Sequence, residues 1–269
     1  MARGNDRYYR QRKRKGVSPM SEYKFQYIDE NILKYYFQIL ENLNEKPNKG
    51  SGTSSFHFKI DDQQIIVYKN GDDGTTTIVF TKGKEGNPLF NELQLLDKKI
   101  AEKNIPIFIV YGHGDNGIHR DCLQTILQKW NFKPIYLDQQ VNSGMTIIEK
   151  LENYMKEAKM GIVLGTPDDI GHANNSEGRL KPRYRMRQNV VLEMGMIMGQ
   201  KERKELILLS QNDRERPIEF PGDIDGIVRV QFEKTVQESK GGLMQELFKL
   251  YEINRSDIKE ELKENNHVK

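Results

Sequence analysis

The chain has 269 residues, of which 30% are charged, and its mean hydropathy is −0.76. This composition is typical of a water-soluble globular protein, and no apolar run is long enough for a membrane span. The first residues lack the apolar core of a signal peptide. The single cysteine, Cys122, excludes an internal disulfide and a metal site built from several cysteines. We therefore expect a cytoplasmic protein without membrane contact.

A basic arm occupies residues 1–20, where arginines and lysines surround Tyr8 and Tyr9. Such a segment buries too little apolar surface to fold alone, so we expect it to be flexible. One interpretation is contact with nucleic-acid phosphates, with the tyrosines stacking on bases. The other is a solvated tail without a partner. The residues that would bind nucleic acid are Arg10, Arg12, Lys13, Arg14 and Lys15.

Residues 21–103 are predicted to form a small α+β domain. Apolar residues at helical spacing over residues 28–43 predict an amphipathic helix, and a second helix is expected over residues 93–103. Three strands are predicted between turn-forming segments, over residues 55–60, 64–69 and 75–81. No chemical motif stands out in this domain, so we expect a regulatory or oligomerisation role.

Strands and helices alternate over residues 104–255. The strands are short apolar runs, which is typical of strands buried on both faces of a parallel sheet. The alternation predicts an α/β domain with a five-stranded parallel, doubly wound, flavodoxin-like sheet and right-handed crossovers. The strands are expected over residues 107–111, 134–137, 160–164, 205–209 and 226–232. Residues 256–269 would follow as a charged tail.

A ligand crevice is predicted where the strand order reverses. In the common order 2-1-3-4-5, this point lies between the first and third strands, at their carboxyl ends. The loops that follow these strands are rich in glycine and aspartate, so backbone can approach a ligand closely. Asp168 and Asp169 resemble a carboxylate pair, but we expect them to form a turn and cap a helix. The predicted substrate-binding residues of these loops are Gly112, His113, Gly114, Asp115 and Thr166.

Glu193 is the single carboxylate of an otherwise apolar run, over residues 185–198. Read as a helix, this run is hydrophobic nearly all round, which predicts a buried helix. A buried carboxylate is costly unless it is paired, protonated or used. Asn189 lies one turn earlier on the same face, and Arg185 and Arg187 are expected at that end of the helix. Glu193 is therefore a candidate site residue; the alternative is a structural ion pair with Arg185 or Arg187.

Five blocks of this region together resemble the bacterial TIR-like family, which is described as predicted nucleotide-binding proteins and includes antiviral-defence effectors. The resemblance covers roughly residues 105–235, with the blocks in the family's order. After the first strand this chain has Tyr111-Gly-His113 where the family has His-Gly-Arg. The blocks are IFIVYGHG at 107–114, DQQVNSGMTII at 138–148, VLGTPDD at 163–169, RQNVVLEMG at 187–195 and IEFPGDIDG at 218–226.

The resemblance implies an NAD⁺ glycohydrolase with Glu193 as the catalytic glutamate, NAD⁺ as substrate, and neither metal nor further cofactor. Arg187 and Asn189 would orient the pyrophosphate or ribose, and the loop of residues 112–115 the adenosine side. The family acts in assemblies, so we expect a homo-oligomer on activation. The trigger would be a nucleotide, a nucleic acid or a phage protein, and it would act through residues 1–100. The expected role is antiphage defence by NAD⁺ depletion.

Two other functions remain open. A nucleoside deoxyribosyltransferase-like enzyme also uses a glutamate in a related α/β fold, and it would exchange bases on nucleosides without consuming NAD⁺. A non-catalytic, nucleotide-binding TIR-like assembly module would keep its function when Glu193 is replaced by glutamine.

Overall fold

The computed structural model describes residues 21–38, 45–47, 54–61, 63–69, 76–80, 87–141, 144–172, 174, 182–224 and 226–267. The predicted basic arm, residues 1–20, lies outside these ranges. The chain divides into two compact units. Residues 1–101 and 253–269 form the first unit, and residues 102–252 form the second.

The first unit contains a five-stranded antiparallel sheet in the order β1-β5-β4-β3-β2. Alternate residues of its central strands, such as Ile65 and Val67, are fully buried, as expected for a sheet with one face in the core. The strands are β1 (Ser21–Lys24), β2 (Glu45–Pro47), β3 (Ser54–Ile60), β4 (Gln63–Lys69) and β5 (Thr76–Phe80). The three predicted strands are β3, β4 and β5; the sequence patterns did not reveal β1 and β2.

Two helices of this unit come before residue 102: α1 (Glu30–Tyr36) and α2 (Pro88–Ala101). Helix α1 begins after Asp29, whose carboxylate accepts hydrogen bonds from the backbone N–H groups of Asn31 and Ile32 at 2.9 and 3.0 Å. The helix predicted over residues 28–43 is therefore shorter in the structure, and residues 39–44 lie outside the described ranges.

The second unit contains the predicted five-stranded parallel sheet, in the order β12-β11-β8-β6-β7. With its strands numbered along the chain, this is the order 2-1-3-4-5 read from the β7 edge. A short antiparallel pair, β9 with β10, interrupts the chain between the third and fourth strands. The strands are β6 (Ile105–Tyr111), β7 (Phe132–Tyr136), β8 (Met160–Gly165), β9 (Asp169–Gly171), β10 (Arg183–Arg185), β11 (Leu206–Gln211) and β12 (Val228–Phe232).

Helices cover both faces of this sheet. They are α3 (Ile118–Lys129), α4 (Ile147–Glu157), α5 (Gln188–Gln200) and α6 (Lys240–Leu247). Leu151 of α4 and Met194 of α5 share a buried cluster with Phe108, Val110 and Val163 of the sheet. Because right-handed crossovers place α3 on the face opposite α4, the sheet is doubly wound.

Helix α5 differs from its prediction in two respects. It begins at Gln188 with Arg187 as N-cap, because residues 183–185 belong to β10 and not to the helix. It also buries only one face, through Val190, Met194 and Ile197, whereas Leu192 is 57% exposed. One face of the helix packs on the sheet and the opposite face is exposed to solvent, so the prediction of a fully buried helix was wrong.

The end of the chain returns to the first unit. Residues 255–267 form helix α7 (Arg255–His267), and Lys99 of α2 is paired with Glu261 of this helix at 2.6 Å. The prediction of residues 256–269 as a charged tail was therefore wrong, because charged residues on one helix face pair with the first unit. Among the helices that the structure describes, none is long and apolar enough to cross a bilayer.

Candidate functional site

The carboxyl ends of β6 and β8 lie side by side, and the chain leaves them in loops at the point where the strand order reverses. In doubly wound sheets this is where ligands bind. Helix α5 follows the β8 side of the same edge and packs on both strands. The predicted crevice is therefore framed by the β6 loop, the β8 loop and the first turns of α5.

The Asp168 carboxylate packs directly on the glycines of the β6 loop. A Cβ atom added to Gly112 would lie 1.5 Å from Oδ2 of Asp168, and one added to Gly114 would lie 2.3 Å from Oδ1. Both positions must be glycine for the two loops to meet. The predicted helix cap at Asp168 was wrong: β9 begins at Asp169, and the Asp168 side chain closes the crevice from the β8 side.

Asp115 faces the start of helix α3. Its carboxylate accepts hydrogen bonds from the backbone N–H groups of Gly117 at 3.0 Å and His119 at 2.6 Å. The buried imidazole of His119 lies with Nε2 3.9 Å from Oδ2 of Asp115, and burial lowers its pKa, so it is neutral at pH 7. Asp115 thus stabilises the shape of the β6 loop through its backbone.

The Glu193 side chain is half-buried and lies in the first half of α5. Burial raises the pKa of Glu193, and the negative charge of Asp138 raises it further, to about 7. Arg185 donates from Nε to Oε2 of Glu219 at 2.7 Å, so the alternative of a structural ion pair between Glu193 and Arg185 does not hold. No hydrogen bond or ion pair joins the Glu193 carboxylate to any residue that the structure describes. A half-buried carboxylate with a raised pKa and no partner is a candidate for a functional site.

A hydrogen-bonded network that the sequence analysis missed holds Asp138, whose negative charge raises the pKa of Glu193. The Tyr111 hydroxyl donates to Oδ2 of Asp138 at 2.7 Å and accepts from Nη1 of Arg120 at 3.0 Å. The guanidinium of Arg120 also lies over the Tyr111 ring, 5.2 Å from its centroid. Tyr111 ends β6 and Asp138 follows β7, and neighbouring parallel strands end at one sheet edge. That topological signal was present in the sequence.

The remaining predicted residues surround this edge in different ways. His113 is exposed, with its ring 5.1 Å from the Tyr111 ring, whereas Thr166 is buried beneath the β8 loop. Arg187 and Asn189 are exposed at the start of α5, and no ion pair engages Arg187 within the described ranges.

A separate open cavity beside β10 is lined by Tyr184, Ile218 and neighbouring residues and does not include Glu193. Across the described positions, no three histidine, cysteine, aspartate or glutamate side chains cluster as metal ligands.

The second unit matches a family of known proteins. Residues 106–234 match the family model described as CAP12/Pycsar effector protein, TIR domain. Protein tirC of Dictyostelium discoideum is 34% identical over 140 residues, which are 51% of this chain and 68% of tirC. The uncharacterized protein YuaY of Escherichia coli (strain K12) is 36% identical over 131 residues, 48% of this chain and 40% of YuaY. With the parallel sheet and the crevice described above, these matches show that the chain belongs to the bacterial TIR-like family.

Proposed function

We propose that this chain is an NAD⁺ glycohydrolase that cleaves the nicotinamide–ribose bond, with Glu193 as its catalytic carboxylate. The single observation that carries the proposal is the half-buried Glu193, without a partner among the described residues, at the ligand-binding edge of a TIR domain. The match to a defence-effector family supports a cytoplasmic role in defence against phage by NAD⁺ depletion.

The chemistry suits a carboxylate. When the bond between C1′ of the ribose and the nicotinamide nitrogen breaks, nicotinamide leaves with the electron pair as a neutral base. The ribose then carries the positive charge of an oxocarbenium ion, as in glycoside hydrolysis. Water adds to C1′ and loses a proton, which gives ADP-ribose, nicotinamide and H⁺. Ionised Glu193 would stabilise the developing charge and accept hydrogen bonds from the ribose hydroxyls.

Other residues of the crevice would hold the rest of the substrate. The exposed Arg187 and Asn189, at the amino end of α5, are suited to a pyrophosphate because helix amino ends and guanidinium groups both favour anions. The backbone of residues 112–114, with His113, would contact the adenosine side, and Asp115 would fix the shape of this loop. Thr166, buried beneath the β8 loop, would support it. No metal or further cofactor enters this scheme.

Activation by assembly is part of the proposal. Val141 and Ile147, near the start of α4, are 77% and 73% exposed, and Ile148 beside them is 48% exposed. An exposed apolar group of this kind is costly for a monomer and suits an interface between copies of the chain. We propose that a nucleotide, nucleic acid or phage protein sensed through residues 1–100 promotes that assembly.

The test is nicotinamide release from NAD⁺ by the purified full chain, wild type against Glu193→Gln, with and without added nucleic acid. We expect the substitution to reduce the rate by about 100- to 1,000-fold while folding persists. Glu219→Gln is the matched control, because Glu219 is paired with Arg185 and should not take part. Undiminished release by Glu193→Gln would refute the assignment, and base exchange between nucleosides without NAD⁺ loss would indicate the deoxyribosyltransferase reaction.

A further inference from the structure

The helices of the first unit gather on one face of its antiparallel sheet. The ring of Phe90 on α2 packs on Phe80 of β5 and Tyr23 of β1, with centroid distances of 5.5 and 5.0 Å. Helices α1 and α7 both join α2 through hydrogen bonds to Glu92. Because side chains alternate along a strand, the neighbours of Phe80 and Tyr23 point to the opposite face, the outer face. By this alternation and the strand register, the outer face carries Lys24, His57, Lys59, Ile66, Tyr68 and Val79.

Two aromatic side chains are neighbours on the outer face. His57 of β3 is paired with Ile66 of β4, and Tyr68 is the next residue of β4 on the same face. Diagonal neighbours of this kind are about 7 to 8 Å apart, within reach of aromatic side chains. Both rings are half-buried, and the buried pair of Ile66 and Val79 forms an apolar centre beside them. Sheets that carry aromatic rings in this way stack unpaired bases on them.

The rim of the outer face is basic. Lys24 and Lys59 are exposed, and Glu22 is the opposing carboxylate on β1. Lys24 lies in one cross-strand row with Tyr68, since Thr77 of β5 is paired with both residues. A cation beside an aromatic ring provides contacts for a phosphate and for the base attached to it.

The charge of Lys24 is available to a ligand. No ion pair engages Lys24 within the part of the chain that the structure describes, whereas on the helix side Lys99 and Lys259 are paired with Glu261 and Asp61. The strand that carries Lys24 also follows directly on residues 1–20, where arginines and lysines far outnumber the single aspartate. The positive charge of the sequence therefore continues onto the outer face and fits a polyanion.

We propose that the outer face of the first unit binds single-stranded nucleic acid, with Tyr68 and His57 stacking on bases and Lys24 and Lys59 contacting phosphates. In a duplex the faces of the bases are already stacked, so a site of this kind selects unpaired strands. Because every base has an aromatic face, little sequence preference is expected. The inference deepens the proposed function by naming the class of trigger, and it rests on that function only for the effect on catalysis.

The first test measures binding of the full chain by fluorescence anisotropy. The probes are labelled strands of about 12 nucleotides, one of uridine and one of thymidine, and a duplex of the same length. Tyr68→Leu keeps an apolar side chain without a ring and should weaken single-strand binding about tenfold, whereas Tyr68→Phe should stay within about twofold. Tyr35→Leu, at a half-buried tyrosine of α1, is the matched control and should change nothing.

The uridine and thymidine strands distinguish RNA from DNA as the ligand, and tighter binding of either one over the duplex supports the proposal. Equal binding of duplex and single strands, with no effect of Tyr68→Leu, would overturn it. If Tyr68→Leu instead abolishes self-association in sedimentation and leaves nucleic-acid binding unchanged, the outer face belongs to a second copy of the chain, and the proposal is wrong.

The second test uses an exposed residue, whose substitution should leave folding intact. Lys24→Gln removes one phosphate contact, so the slope of log K against log salt concentration should become shallower by about 0.7. Lys98→Gln, at an exposed lysine of α2, is the control and should leave the slope unchanged. Equal slopes for wild type and Lys24→Gln would contradict a phosphate contact on this face.

The failure of this proposal is distinguishable from the failure of the proposed function. If single strands bind in a Tyr68-dependent manner but no NAD⁺ is cleaved with any strand added, the outer face stands and the glycohydrolase proposal fails. If Glu193-dependent cleavage is found while Tyr68→Leu binds nucleic acid like Tyr35→Leu, the glycohydrolase proposal stands and the outer face fails. If both hold, the added strand should raise nicotinamide release by wild type and not by Tyr68→Leu.

Discussion

Each unit of the chain contains a glutamate that is at least half-buried, and the two glutamates have different partners. In the first unit, Glu92 of α2 is 3% exposed, and Arg255 donates to both of its carboxylate oxygens. It accepts from the Tyr36 hydroxyl at 2.9 Å and from Nε of Arg255 at 2.6 Å. In the second unit, Glu193 is half-buried, and no described residue is hydrogen-bonded to its carboxylate. The negative charge of another carboxylate, Asp138, raises the pKa of Glu193 in addition to burial.

The difference separates a structural carboxylate, Glu92, from the proposed catalytic one, Glu193. Pairing offsets the desolvation of Glu92, so this residue joins α2 to α7 and keeps the C-terminal helix in the first unit. The desolvation of Glu193 is left without compensation, and an ionised Glu193 therefore destabilises the folded chain. Such a cost is retained where a substrate supplies the missing partner. The predictions below test this contrast, from the largest expected effect to the smallest.

Breaking the structural pair should have the largest effect on stability. Arg255→Ala leaves the buried Glu92 carboxylate without its cation, and we expect a loss of about 2 to 4 kcal/mol in the free energy of unfolding of the first unit. Hydrogen exchange should accelerate in α2 and α7 and stay unchanged in β6 and β8.

Lys259→Ala is the matched control for this change. Lys259 lies on α7 with Arg255 and pairs with the exposed Asp61 at 3.3 Å. Loss of this exposed pair should lower the free energy of unfolding by less than about 0.5 kcal/mol. If the two substitutions destabilise the first unit equally, Glu92 is not the anchor that its contacts indicate.

Closing the crevice should impair catalysis without unfolding the chain. Gly112→Ala places a methyl group where the Asp168 carboxylate lies, so that side chain must leave the β6 loop. We expect kcat/KM for NAD⁺ to fall by about 100-fold, because a displacement of about 1 Å near the reacting groups has this effect.

The double variant Gly112→Ala with Asp168→Ala should regain much of this activity, because the smaller side chain leaves room for the methyl group. A double-mutant cycle of kcat/KM measures the recovery. Strictly additive losses would show that the contact between the β6 and β8 loops does not shape the site.

Ionisation of Glu193, the proposed catalytic carboxylate, should lower the free energy of unfolding in a manner that depends on pH. Its pKa is raised from 4.5 to about 7, so the folded state favours the protonated form. Wild type therefore loses stability as pH rises from about 4.5 to about 7, whereas Glu193→Gln does not. Allowing for solvent screening, we expect the variant to be more stable by about 1 to 2 kcal/mol at pH 8, with no difference at pH 4. Denaturant unfolding at both pH values tests this, and a less stable Glu193→Gln at pH 8 would contradict it.

The sequence predicted the second unit well for identifiable reasons. Parallel strands buried on both faces are continuous apolar runs, and strand order then locates the crevice. Glu193 stood out because it is the single carboxylate in the apolar run that forms helix α5. The Thr146 cap was also predictable: its hydroxyl accepts from the Glu149 N–H at 3.2 Å, and the Glu149 carboxylate accepts from the Thr146 N–H at 2.8 Å.

Contacts between distant segments could not be predicted in the same way. Arg255 reaches Glu92 across 163 positions, and Asp138 reaches Tyr111 across 27. Neither pair leaves a periodic signal, because each depends on how elements meet in space. The contact of Asp168 with Gly112 is of the same kind. The glycines indicated close approach of backbone to some group, but the sequence did not identify that group.

The pH dependence of nicotinamide release tests the central claim most directly. The purified full chain, with and without added nucleic acid, would be assayed with NAD⁺ from about pH 5 to about pH 9. If ionised Glu193 stabilises the ribose charge, the rate should rise with pH through about 7, and Glu193→Gln should show only a slow, pH-independent rate. A rate that stays flat across this range, or a Glu193→Gln variant that matches wild type, would contradict the account.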